Sequence, residues 1–562
     1  MAKTDQVKVQ NEAEFEIPDV TIAQYLEQGF KEFPDRAAYH FMGLTHTYQE
    51  LDEMSARFAN FLQGIGCKQG DVVGIHLPNV PQALISIFGA FRAGCKITGI
   101  SPLLTPNEIT HQLNDSGASV LVTMDALYEN TYMPAKDKTP GIKHIVVTGI
   151  ADMLPALKRF LGKALKKIPT GKIDPIPGKE TLFFMDILKK FPAECPEFRC
   201  DQNESCVLVY TGGTTGPSKG CEITHLNLLA ECVAPQHAFD LKKGEEVFCS
   251  AFPFFHVAGL ALGISTASAG YTQILVPDPR NTKYLCDSIG KYKPTFIAMV
   301  PTLYQMLLDV PAFKELNIKS FPGFKVCISG AAPFAEEPFR AMEAIVGEGN
   351  LIEAYGSSET CSSLTVNPLD GIKKIGSVGL PMPGNRVKIV DLDTGTEEMP
   401  VGEEGEVIAQ GVKIMKGYLN KPDETANAIR EFQGGKWFYT GDVGKLDEDG
   451  YLYIVDRTKD MISVGGYKVF SLMVEEVLYQ HPAVDMCAIV GIPNPERTGD
   501  EKVKAVIQLT SEFKDQDPGK LQEELTGFCR EQLAPYKVPK LFEFTGSIPV
   551  TAVGKVDKKQ LR

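Results

Sequence analysis

Between Val20 and about Thr148 the chain repeatedly switches its apolar period. Residues 48–66, YQELDEMSARFANFLQGIG, repeat at helical spacing, whereas VVGIHLP (72–78), SVLVTM (119–124) and HIVVTG (144–149) are short β-rich runs. A helix that must bury one stripe and a strand that must bury both faces satisfy each other by stacking, which predicts packed α/β layers. Similar units follow from Cys206 to about Glu353. A glycine-rich region with alternating strand patterns comes next, from GSVGLPMPGNRVKIVD (376–391) through EEGEVIAQG (403–411) to DGYLYIVD (449–456), and predicts a β subdomain. The last hundred or so residues restart with a helical pattern, VEEVLYQHP, then two strand patterns, AVDMCAIVGIP and EKVKAVIQL, which predict a small separate α+β domain. The charged break DRTKD, Asp456–Asp460, separates the two parts, giving domains over 1–456 and 457–562.

The chain's 562 residues correspond to roughly three or four units of typical domain size. A net charge of −14 argues against nonspecific nucleic-acid binding. The N-terminal MAKTDQVKVQNEAEFEIPD has no apolar core of a signal peptide, and no later run offers about 18 uninterrupted apolar residues, so a cytoplasmic location is expected. The thirteen cysteines are scattered among apolar neighbours; Cys195 and Cys200 come nearest to a metal-type spacing, and buried thiols explain them as well.

The stretch Tyr210–Gly220, YTGGTTGPSKG, lies between an apolar strand pattern and a second, alternating one, before a helix expected near Thr224. Its run of small residues leaves the backbone N–H groups of Gly213 and Gly216 uncovered, and the hydroxyls of Thr211, Thr214 and Thr215 add donors suited to phosphate oxygens. Lys219 adds a full positive charge. A P-loop needs Gly-Lys-Ser/Thr opening a helix, which is absent here, and a plain hairpin turn remains the alternative from these residues alone.

With its flanks, this stretch resembles the Tyr-Thr-Ser-Gly-Thr-Thr-Gly-x-Pro-Lys-Gly signature of the adenylate-forming superfamily, which holds acyl-CoA synthetases, luciferases and peptide-synthetase adenylation domains. Gly212 and Ser218 are the departures. Three further motifs follow in the superfamily's order. EAYGSSET (353–360) is similar to Tyr-Gly-x-Thr-Glu, which implies Tyr355 and Gly356 at adenine, Ser358 at the α-phosphate and Glu359 as the Mg²⁺ ligand. The segment SGAAPF (329–334), with Gly330, Ala331 and Ala332, resembles the backbone that borders adenine and the acyl pocket. In WFYTGDVGKLDEDGYLYIVDRTKD (437–460), Asp442 and Arg457 match the ribose-binding acid and arginine, with Asp456 replacing the usual glycine and Lys459 at the hinge position. Near the C-terminus, IPVTAVGKVDKKQL (548–561) places Lys555 where the superfamily's catalytic lysine reaches the carboxylate and ribose oxygens; Lys558 and Lys559 read as a solvated charge run.

The resemblance implies a fold and a reaction. The fold is α/β: a large N-terminal domain of layered sheets and helices with a β subdomain, and a small mobile α+β C-terminal domain hinged near Lys459. In the reaction, a carboxylate attacks the α-phosphorus of ATP to release pyrophosphate, and coenzyme A then displaces AMP. Between the steps the C-terminal domain rotates, and the loop VGGYKVF (464–470) brings Gly465 and Gly466 to the pantetheine tunnel. Met473 stands where the superfamily's next motif has a glutamate. His256 in FPFFHVAG (252–259) resembles the histidine beside the acyl carboxylate, though a packed core histidine also fits the residues. FFHVAGLALG lacks the aspartate that amino-acid-activating relatives use, and Ala258, Gly259, Ala261 and Gly263 suit either room for an acyl chain or close helix packing.

Leu154–Ile168, LPALKRFLGKALKKI, reads as a basic amphipathic helix, with Leu157, Phe160, Leu161, Ala164, Leu165 and Ile168 on one face. It suits either the inner face of an anionic membrane or packing on the N-terminal domain. A similar insertion, together with Gly212, makes the chain look like bacterial long-chain fatty acid CoA ligases. The expected partners are thus a medium- or long-chain fatty acid, ATP and CoA, in a monomer or homodimer. An aromatic or alicyclic acid is the alternative substrate, and a non-catalytic nucleotide- or lipid-binding relative the alternative class.

Overall fold

The computed structural model describes residues 16–154, 169–211, 217–239, 241–464, 467–495, 500–551 and 555–562. The expected basic helix therefore lies, past Leu154, outside the described residues, as do Gly212–Gly216 and Gly465–Gly466. What is described is the layered α/β architecture that the alternating periods require. One sheet of eight strands carries Val72–His76 at its middle, flanked in parallel by Lys96–Gly99 and Ala118–Met124. Every residue of Val72–His76 is buried, as a strand covered by helices on both faces should be. A second sheet of nine strands runs parallel through Thr272–Leu275, Val247–Ser250, Phe296–Met299, Val326–Gly330 and Leu351–Tyr355.

Four of the helices start where short polar side chains bind their first free N–H groups. Thr21 with Gln24, Thr47 with Glu50, Thr105 with Glu108 and Thr224 with Asn227 each form a reciprocal capping box. Helix Tyr48–Gly64 then buries Leu51, Phe58, Phe61 and Leu62, the face its period predicts. One apolar cluster joins helices and strands from Ile22 to Phe438, so the layers share a continuous core.

The glycine-rich region forms an antiparallel five-stranded sheet, with Gly435–Leu446 paired to Gly405–Gly411, Ile429–Phe432 and Leu452–Arg457. Beyond DRTKD come a hairpin, Ile462–Val464 with Tyr467–Val469, helix Ser471–Tyr479, and a sheet of Val484–Pro493, Glu501–Leu509 and Leu541–Thr545. This last part has its own core, from Ile462 to Val538, which includes Val474, Leu478, Ile489 and Leu525. Among the described residues no helix is long and apolar enough to cross a membrane.

Candidate active site

The site forms where the C-terminal end of a parallel strand meets the β subdomain, the usual place for a ligand in an open α/β sheet. Strand Leu351–Tyr355 ends in Tyr355. The antiparallel register of Gly435–Leu446 with Leu452–Arg457 sets Asp442 directly opposite Arg457. Arg457 Nε lies 3.0 Å from Asp442 Oδ1, and the Tyr355 hydroxyl donates to Asp442 Oδ2 at 2.6 Å. Burial, then the Asp442 charge, push the Tyr355 phenol far above its ordinary value, so it stays a donor. The bend that delivers Asp442 comes from Gly441, at φ +70°, where its N–H donates to Glu406 Oε1 at 3.0 Å. Asp442 thus presents a fixed carboxylate between a phenol and a guanidinium, suited to a diol such as ribose.

The segment after Tyr355 is held by close backbone approach. A Cβ on Gly356 would stand 1.7 Å from the Ser362 carbonyl oxygen, so only glycine fits. Ser358 is buried, and Glu359 accepts the Tyr418 hydroxyl at 2.9 Å while its carbonyl accepts Met415 N–H at 2.8 Å. Lys219, at the start of strand Lys219–Thr224, pairs with Glu424 and sits 5.1 Å from the centre of the Tyr418 ring. Tyr418 and Glu424 were not singled out in the sequence; the strand pair Tyr418 to Cys221 brings them in from two hundred residues away. Thr211 ends the preceding strand opposite Lys219, so the two strands expected on either side of 212–216 are present and paired.

Across from Tyr355, Ala331 adopts φ +71° just after Gly330, the end of the neighbouring strand, and Ala332 follows. A non-glycine residue held in this region stores strain. Ser329 Oγ, Glu353 Oε2 and Ser357 Oγ nearby are buried without a hydrogen-bond partner among the described residues, polar atoms that a bound ligand could satisfy. Burial raises Glu353 to about 8, so it is mainly protonated at neutral pH and able to donate. A buried acid two residues before Tyr355 was a legible signal that the sequence reading passed over.

His256 caps helix Val257–Ser268, its Nδ1 accepting Ala258 N–H at 3.3 Å. The ring proton is thereby assigned to Nε2, and burial, with the Lys555 ammonium adding to it, pushes the imidazole down to about 3. A neutral Nε2–H donor results. The loop before it is clamped from the other sheet: Asn79 Nδ2 donates to Phe252 O at 2.9 Å and Asn79 Oδ1 accepts Phe254 N–H at 2.8 Å. A small cavity runs along the same helix, lined by Phe248, Ser250, Phe254, Leu262, Gly263 and Thr266. Gly263 faces Phe254 there, whereas a Cβ on Gly259 would stand 2.2 Å from the Pro253 carbonyl oxygen. Close packing, one of the two purposes that the sequence left open for the small residues of this helix, is what Gly259 serves.

Lys555 sits on a hairpin closed by Thr551 N–H to Lys555 O at 2.7 Å and by the Val550 to Val556 bridge. Burial, then the Arg457 charge, push its ammonium down to about 8, against the pull of Asp442 and Glu359. The four groups named from separate motifs are thus electrostatic neighbours. Lys558, expected to be solvated, is instead packed away, its Nζ 2.8 Å from Glu475 Oε1. Met473, in place of an acid, receives Lys537 Nζ at 3.0 Å from its sulfur. Gly213, Thr214, Thr215, Gly216, Gly465 and Gly466 lie outside the described residues.

The AMP-binding enzyme family matches residues 26–419, and the AMP-binding enzyme C-terminal domain matches 473–555. The chain belongs to this family. The AMP-binding enzyme is 37% identical to a long-chain-fatty-acid–CoA ligase of Bacillus subtilis, over 98% of its own length and 95% of the relative's. It is 35% identical to the ligase of the same name from Escherichia coli, over 96% and 94%. Among solved structures it resembles an anthranilate CoA ligase in complex with anthranoyl-AMP, with a TM-score of 0.83, 26% identity and 97% of each chain covered.

Proposed function

We propose that this AMP-binding enzyme is an ATP-dependent acyl-CoA synthetase for medium- or long-chain fatty acids. The observation that carries the reading is the convergence of Tyr355, Asp442, Arg457 and Lys555, drawn from three separate sequence motifs, on one corner. Asp442 and Arg457 would hold the ribose, and Tyr355, with Gly330–Ala332, the adenine. Ser358 would face the α-phosphate. Thr211, the 212–216 loop and Lys219 would hold the β- and γ-phosphates that depart as pyrophosphate.

The acyl carboxylate attacks the α-phosphorus, the bond to the pyrophosphate oxygen breaks, and the CoA thiol later displaces AMP from the acyl adenylate. Two anions must approach for the first step, and Lys555 supplies the cation where that repulsion peaks. His256, neutral and with Nε2–H available, would donate to the carboxylate and hold it for attack. Glu359 offers one carboxylate, the donor set of a Mg²⁺ ion that takes its other ligands from phosphates and water. Bound there, Mg²⁺ would neutralise triphosphate charge.

The fatty-acid reading is supported by the similarity to long-chain-fatty-acid–CoA ligases over nearly the whole chain. The second reading is an aromatic acid, which the solved relative's anthranoyl ligand favours. ATP–pyrophosphate exchange over an acid panel separates the two: exchange with octanoate or palmitate is expected, and exchange with benzoate-like acids alone would overturn the fatty-acid reading. The basic stretch 154–168 would add a peripheral contact with anionic membrane, measured by co-sedimentation with vesicles containing anionic lipid.

A further inference from the structure

Asp456, Ser471, Lys558 and Glu475, none of which the proposed chemistry uses, form one polar chain. Asp456 and Ser471 are 2% and 0% exposed. Asp456 is the next-to-last residue of strand Leu452–Arg457 and accepts the N–H of Arg457, the last, at 2.8 Å. Its other oxygen accepts the N–H of Ser471, the first residue of helix Ser471–Tyr479, and the Ser471 hydroxyl donates back to Oδ1 at 3.1 Å. A carboxylate from a distant strand thus caps the helix and meets the positive end of its dipole.

The chain continues toward Lys555. Lys558 Nζ donates to Ser471 Oγ at 2.6 Å and lies 2.8 Å from Glu475 Oε1, which also accepts Ile489 N–H at 2.8 Å. Lys558 opens the final turn, Lys558–Leu561, whose Leu561 is buried against Ala488, Val490, Val506 and Ile548. The hairpin bearing Lys555 is therefore fixed behind by an apolar anchor and by one ammonium. That ammonium connects through Ser471 to Asp456, and from there along one peptide to the Arg457–Asp442 pair.

We infer that Asp456 and Lys558 are positioning residues for adenylation, joining the Lys555 hairpin to the ribose corner so that the ammonium is delivered in register with the nucleotide. The inference rests on the proposed role of Lys555. Neither residue touches a substrate. The alternative is that this network only holds the C-terminal part together, since Ser471, Glu475 and Lys558 all belong to it; Asp456 alone comes from the β subdomain.

The test separates the half-reactions. Asp456→Asn, Lys558→Met and Lys558→Arg are compared with wild type in ATP–pyrophosphate exchange and in transfer of a supplied acyl adenylate to CoA. The first two should slow exchange about tenfold or more, because displacing a catalytic group by a fraction of an ångström already has that cost. Transfer should be unchanged, and Lys558→Arg should recover most of the exchange rate. Asp456→Asn added to Lys555→Ala should cost nothing further, since it acts through the missing lysine.

Equal loss of exchange and transfer, or loss of neither, overturns the inference; so does an additive effect in the double variant. A wild type silent toward every acid overturns the functional reading as well, whereas an active wild type with variants slowed in both half-reactions overturns this inference alone.

Discussion

The site has a lysine at each end, and the two are set up differently. Lys219 arrives already paired with Glu424 and lies against the Tyr418 ring, on the edge of a strand where water reaches it. Lys555 is desolvated beside Arg457, with its ammonium pushed down to about 8. A cation with a partner must exchange that partner for phosphate, so much of the gain on binding cancels. A desolvated ammonium, with Arg457 opposing the pull of Asp442 and Glu359, gains most when an anion arrives, and the reacting carboxylate and phosphate bring one. The difference assigns pyrophosphate holding to the first lysine and transition-state stabilisation to the second.

The sharpest way to break this comparison is to remove each lysine in turn. Lys555→Ala should slow adenylation by about two to three orders of magnitude, the usual cost of losing a group aimed at developing charge, while sparing transfer from a supplied acyl adenylate. Pyrophosphate exchange and a CoA-transfer assay read the two halves. Equal losses in both assays would remove the distinction between the lysines.

Next in size is the ribose corner. Asp442→Ala removes the acceptor for both Tyr355 and Arg457, leaving a buried phenol and a guanidinium unpaired, and should raise the KM for ATP at least about tenfold. Tyr355→Phe, which removes a single donor, should do less. A larger effect from the phenylalanine would mean that the hydroxyl, and not the Asp442 carboxylate it reaches, carries most of the binding.

The pH profile sharpens the comparison further. Lys555 must carry its proton to stabilise negative charge, and its pKa of about 8 lies below that of an ordinary lysine. The kcat/KM for adenylation should therefore hold below pH 8 and fall as pH rises through it, toward tenfold per unit. Arginine at 555 stays charged, so Lys555→Arg, although slower at neutral pH, should lose this alkaline fall. Persistence of the fall in that variant would assign it to another group.

How much of this was legible beforehand depends on whether a residue's role is local. The Asp442–Arg457 pair was legible through the resemblance to the superfamily's motif, not through its register, which a bulge shifts; the strands on either side of 212–216 were legible from their local apolar patterns. The helix start near Thr224 was readable because its capping residue sits next to the N–H groups it caps. Tyr418, Glu424 and Asn79 were not, since each is brought to the site by pairing with a segment more than one hundred residues away, Tyr418 with Cys221, Glu424 with Lys219 and Asn79 with Phe252. Lys558 was misread for a related reason: a lysine in a run of lysines looks solvated until the fold puts Ser471 and Glu475 against it. Asp456, a departure without meaning in the motif, acquires one only when the helix it caps is in place.

The smallest effect is expected at the other lysine. Glu424→Gln frees Lys219 from its carboxylate partner without removing the ammonium. Both side chains are partly exposed, so water and salt screen the pair and its contribution is small. If Lys219 holds the leaving group, releasing it should tighten pyrophosphate binding by at most about fivefold, read as a lower KM for pyrophosphate in the exchange assay at low salt. Raising the salt should erase the gain, because screened surface charges no longer compete. Turnover with saturating ATP should not rise, since this lysine is assigned to the product and Lys555 to the barrier; a rise in turnover would place Lys219 in the chemistry too.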